Sequence, residues 1–128
     1  MSPVALDRNA ELATMTATLP DNLEAYDLVM RALPHLWAHR MHENPEAIAL
    51  LEKALELDPH YGLAAALAAW AHAQQIVYNW TSGPESERAK GLRQIEIAAR
   101  HIGEDATGLT ALSTAIMLLE GSQLLRHG

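Results

Sequence analysis

Cysteine is absent from the sequence, which excludes disulfides, thiolate zinc sites, cysteine nucleophiles and thiol redox chemistry. Phenylalanine is absent as well, and Ala and Leu dominate. Both are strong helix formers whose small or unbranched side chains lose little freedom in a helix, so an all-α fold follows. Positive charge is scarce: nine Lys and Arg face sixteen Asp and Glu, for a net charge of −7. That balance argues against nucleic acid as a partner, because phosphate-backbone binding needs clustered cations to release counterions. No uninterrupted apolar run approaches the roughly 18 residues needed to span a bilayer, so no membrane partner is expected. The segment Met1 to Pro20 lacks the basic-then-apolar order of a signal peptide, and a cytoplasmic location is the expectation. Also missing are a Ser-His-Asp order, a glycine-rich phosphate loop and closely paired carboxylates in an apolar setting. The chain is therefore expected to be no enzyme and to need no cofactor.

What is present, 128 residues with 49% hydrophobic and 20% charged, suits one domain with a continuous core. Residues 1–20, carrying Pro3 and Pro20, read as a linker or loosely docked arm. Asp21 and Glu24 have capping-box spacing, and Leu23, Tyr26, Val29, Met30, Leu33, Leu36 and Trp37 form a helical stripe. Pro34 predicts a kink or break near Met30 to Pro34. Asn44 to Pro59 holds a start signal in Asn44-Pro45-Glu46 and a stop at Pro59, around Ala47, Ile48, Leu51, Ala54 and Leu55. Asn44 is expected to cap this second helix. A small-residue helix follows from about Tyr61 to Val77, a fourth starts near Pro84 and Glu85 and stops at Gly103, and Asp105 caps a fifth that Gly121 ends. Residues 122–128 read as a tail or a helical continuation.

The helices are self-similar, the sequence signature of stacked helix pairs that cannot bury their apolar faces alone. Ala47, Leu51, Ala54 and Pro59 match the second-helix half of a tetratricopeptide repeat at the expected steps. Tyr26, Val29, Met30 and Leu33 take the first-helix places, and Ala65, Ala68, Ala69 and His72 take them in the next unit. Tyr26 and Ala65 are 39 residues apart, and Ala65 and Leu109 are 44 apart, against a period of about 34. Insertions are thus expected at His39 to Asn44 and Ile76 to Glu85. The expected architecture is a tetratricopeptide-like α-α superhelix of about two and a half helix pairs over residues 21–121.

Four phrases carry a more specific resemblance: Leu23 to Pro34 (Leu-Glu-Ala-Tyr-Asp-Leu-Val-Met-Arg-Ala-Leu-Pro), Leu50 to Pro59, Ala68 to Gln75 (Ala-Ala-Trp-Ala-His-Ala-Gln-Gln) and Tyr78 to Trp80 (Tyr-Asn-Trp). With them, Leu23 to Leu119 resembles the tetratricopeptide-like region that follows the catalytic domain in some bacterial class III adenylate cyclases, with relatives in winged-helix transcriptional regulators. The resemblance implies a regulatory or interaction segment without the cyclase domain, which would not make cyclic AMP by itself.

Solenoids of this type bind a protein or peptide partner on the concave face of their first helices. The repeat register places Asp27, Arg31 and His35, then Ala66, Trp70 and Gln74, then Thr110, Thr114 and Leu118 on that face. Trp70 is the foremost contact candidate, since aromatic residues dominate interface hot spots, although a Trp among alanines also fills space. Trp80, with Tyr78 and Asn79, reads as a lid or a ligand contact. His35, His39 and His42 stand at i, i+4 and i+7 and invite a zinc reading, but Pro34, Arg40 and the missing Glu favour a solvated face and no metal. His72 occupies a place where the repeat buries Tyr, so it reads as a hydrogen-bonded packing residue. A second functional class is self-association through the C-terminal helix, whose Leu112, Ile116 and Leu119 lack a following partner helix.

Overall fold

The computed structural model describes residues 22–127, with side chains described for residues 22–121. The arm expected over residues 1–20 lies outside the described residues, as does Asp21. The described residues are all-helical and form five helices: α1 (Leu23–Trp37), α2 (Asn44–Leu57), α3 (Gly62–Val77), α4 (Pro84–His101) and α5 (Ala106–His127).

Local chemistry sets most of these bounds. Asn22 caps α1, its side chain accepting from the backbone N–H groups of Glu24 and Ala25 at 2.9 and 3.3 Å. The helix continues unbroken through Pro34, although the proline removes the bond that its nitrogen would otherwise donate to the Met30 carbonyl. Of the expected core stripe, Val29 and Leu36 are fully buried, but Leu23 and Trp37 are 64% and 55% exposed. In α2, Ala47, Leu51 and Ala54 are fully buried, and the helix stops at Asp58 ahead of Pro59. Glu85 and Glu87 in the first turn of α4, with Arg100 and His101 in its last, complement the helix dipole. Gly103 follows with φ +60°, the left-handed conformation in which glycine carries no Cβ penalty. Asp105 accepts from the Gly108 N–H at 2.8 Å and so starts α5 as expected. The expected stop at Gly121 does not occur, because helical geometry costs glycine only about 1 kcal/mol relative to alanine.

Consecutive helices pack on one another, and α3 also packs along α5. This makes α3 the hub: twelve of its sixteen residues are buried, in keeping with an Ala-rich helix that is apolar nearly all round. Close approach to its neighbours depends on small residues. A Cβ on Gly62 would stand 2.5 Å from the Ile102 nitrogen, and one on Gly91 would stand 3.2 Å from Leu119 Cδ1.

The polar exception to this packing centres on Asn44. Glu43, not Asn44, precedes the first turn of α2, and no side chain caps it. Asn44 is 1% exposed and turned across to α3, where its Nδ2 donates to the Ala71 carbonyl (3.1 Å) and to Gln74 Oε1 (2.9 Å). Its Oδ1 accepts from Gln75 Nε2 at 2.6 Å. The α1–α2 and α3–α4 turns, where insertions were expected, meet at this end of the helices. His39, at φ 52°, reaches Gln74 Nε2 at 3.3 Å and sets its ring edge against Trp70 and Tyr78.

Candidate binding groove

A groove of about 330 Å³ runs between the C-terminal end of α1, the middle of α3 and the first half of α5. Trp37, Leu67 and Trp70 form one side, and Thr107, Thr110, Ala111 and Thr114 form the other. The threonines recur at three- and four-residue steps, so one stripe of α5 supplies them all. Trp37, the last residue of α1, is 55% exposed. Trp70 is half-buried, held by the His39 ring at a centroid distance of 6.0 Å and an interplanar angle of 71°. The aromatic line continues from His39 to Tyr78 (6.2 Å) and from Tyr78 to Trp80 (4.9 Å). Asn79, at φ 57°, and a 2.8 Å bond from the Trp80 N–H to the Gln75 carbonyl turn this segment back beside α3.

Of the residues placed on this face by the repeat register, the structure brings Trp70, Thr110 and Thr114 together in the groove. Ala66 is fully buried and presents no surface. Gln74 is 1% exposed and committed to Asn44 and His39, so it supports the site from beneath. Asp27 and Arg31 pair with each other at 3.0 Å on the exposed side of α1, away from the groove lining. His35 Nδ1 lies 3.4 Å from Glu43 Oε1, an ion-pair distance without hydrogen-bond geometry. Leu118 is half-buried and does not line the groove. Trp37, Leu67 and Thr107 were not placed on this face, and Trp37 was read as core from its position in the α1 stripe.

The three clustered histidines do not converge. With α1 ending at Trp37, His39 and His42 fall in the turn, where helical i, i+4, i+7 spacing no longer applies. Among the described residues no group of three His, Asp or Glu side chains is placed to hold a metal ion.

A wider hollow of about 610 Å³ meets the groove at Ala106 and Thr107 and lies over the α2–α3 and α4–α5 turns. There the His60 and His101 rings stack at 4.5 Å. Tyr61 also lines it, its phenol pushed up to about 12 by burial first, then by neighbouring Tyr26, Asp105 and Asp58. Aromatic surface beside hydroxyls, as in the groove, suits noncovalent recognition. In comparison with known proteins, the chain matches no protein family, no curated protein and no solved structure.

Proposed function

We propose that the chain is a non-catalytic, tetratricopeptide-like interaction module that binds an extended peptide segment of a partner protein in the α1/α3/α5 groove. The observation that carries this reading is a 55%-exposed Trp37 set in one groove with half-buried Trp70, opposite three threonines. Exposed aromatic surface of this kind is where binding energy concentrates, and the hydroxyls offer hydrogen bonds to a peptide backbone. The packing of α3 against α2 and α4 and along α5 is compatible with stacked helix pairs. The Ala47, Leu51, Ala54 and Pro59 spacing supports the same architecture. The four phrases resembling cyclase-associated repeats support a regulatory role in a bacterial, cytoplasmic adenylate cyclase signalling protein.

The test is selection of peptides from a displayed random library on the purified protein. Selected peptides are expected to change Trp fluorescence on binding and to lose about tenfold or more in affinity on Trp37→Ala, with Thr110→Lys also blocking them. Peptides indifferent to both substitutions would overturn the groove assignment.

One observation favours a second reading, self-association through the C-terminal helix. Leu112 and Leu119 of the expected stripe are buried within the chain and Ile116 packs against its core, but Met117 is 73% exposed and Leu109 42% exposed on α5, an apolar surface that a second copy would cover. A single monomeric species across micromolar concentrations in light scattering would remove this reading.

A further inference from the structure

On the side of α3 away from the groove, α2 and α4 stand apart and leave a cleft of about 450 Å³ with His72 among its lining residues. His72 is 2% exposed, and its Nδ1–H donates to Glu87 Oε2 at 2.5 Å. Glu87 lies outside the cleft lining, one turn before Gly91, whose missing side chain lets α4 close on the His72 Cβ. In the neutral ring this arrangement fixes the tautomer and leaves Nε2 as a hydrogen-bond acceptor. Nε2 is buried and has no partner. Gln94, on the same cleft wall, likewise has a buried Oε1 without a partner. Two buried acceptors in one cleft leave a demand for donors that the protein does not meet, and native interiors rarely leave such groups unpaired.

The walls add charge of both signs. Glu52 and Glu56, one turn apart, come from α2, and Lys90 and Arg93, three residues apart, come from α4. No ion pair crosses the cleft among the described residues. Leu55 and Ile97 contribute apolar surface between the charged groups. We propose that this cleft binds a small zwitterion, an amino acid with a short aliphatic stem. Its ammonium pairs with the Glu52 and Glu56 carboxylates and draws toward itself, as further acceptors, His72 Nε2 and Gln94 Oε1, which are closed to solvent in the ligand-free chain. Its carboxylate pairs with Lys90 and Arg93. The volume falls in the range of small-molecule sites, and the site shares no residue with the peptide groove. It stands independently of the peptide-binding reading.

The test is a ¹⁵N NMR titration of the whole chain with L-leucine, 4-aminobutyrate and 6-aminohexanoate, with butylamine and butyrate as single-charge controls. At least one zwitterion is expected to give saturable shifts of the His72 ring nitrogens and the Gln94 side-chain amide below about 10 mM, at least about tenfold more tightly than either control. Gln94→Leu and Lys90→Met, both at half-buried surface positions, are expected to weaken that binding by about tenfold or more while leaving the melting temperature within a few degrees. No saturable shift with any zwitterion would overturn the proposal. Equal binding of butylamine, or a crystal structure in which a water bridging His72 Nε2 and Gln94 Oε1 persists in the presence of the zwitterions, would do so too.

Discussion

Replacing Asn44 by Ala tests whether the buried amide cluster, rather than helix capping, is what this residue contributes. Asn44 makes three side-chain hydrogen bonds to α3 while 1% exposed. Its loss removes the partner of Gln75 Nε2 and one of the two partners of the Gln74 amide, which keeps only His39. The Ala71 carbonyl remains inside α3 and retains its helical bond. Two buried side-chain groups at about 1–3 kcal/mol each give a loss of about 2–6 kcal/mol. At roughly 3–5 °C per kcal/mol for a chain of this size, the melting temperature falls by about 6–30 °C. Urea denaturation followed by far-ultraviolet circular dichroism reads the free-energy change directly. Asn44→Ser separates the two roles, because serine caps helices well but is too short to reach Gln74. It is expected to be nearly as unstable as Asn44→Ala. Adding Gln75→Leu to Asn44→Ala should recover part of the loss, since both members of one pair are then removed. A loss below about 0.5 kcal/mol, or full retention of stability in Asn44→Ser, would refute the reasoning.

Four further outcomes are expected. Gly62→Ala places a Cβ 2.5 Å from the Ile102 nitrogen and 2.6 Å from the His101 carbonyl carbon, both backbone atoms that cannot rotate away, and should cost about 3 kcal/mol in urea unfolding. Gly121→Ala, with nothing within 4 Å, should instead add up to about 1 kcal/mol. Because the Tyr61 phenol is raised from 10.0 to about 12, its contribution to stability is full below pH 10 and is lost as pH rises toward 12. Tyr61→Phe should flatten that decline, as measured by urea midpoints at pH 8 and pH 11. If α5 mediates self-association, Met117→Glu should return any concentration-dependent oligomer to monomer in sedimentation velocity.

Helix order and most boundaries were legible because they depend on local chemistry: the Pro59 stop, the Gly103 turn and the Asp105 cap act within a few residues of themselves. The residues that differ are those whose partners lie far away in sequence. Asn44 carries the composition of a cap, yet its amide is drawn to Ala71, Gln74 and Gln75 about thirty positions on, which a one-turn signal cannot encode. Gly121 resembles a terminator, but α5 continues through it. The groove was half legible. Repeat spacing placed Trp70, Thr110 and Thr114 on one face, but it could not show that α1 ends at Trp37 and leaves that ring uncovered. Ala66 and Gln74 fell to the interior because α3 is enclosed by α2, α4 and α5, so fewer of its sides reach solvent than an ordinary amphipathic helix offers.

The most direct test of the peptide groove is a fluorescence titration of a library-selected peptide against the native chain, Trp37→Ala and Leu92→Ala, with thermal melts in parallel. Trp37 and Leu92 are both exposed, at 55% and 43%, but Leu92 lies on α4 outside the groove. The groove account predicts that Trp37→Ala weakens binding by about tenfold or more at an unchanged melting temperature, while Leu92→Ala binds as the native chain does. Equal affinities for all three proteins, or a loss in Trp37→Ala matched by an equal loss in Leu92→Ala, would contradict it.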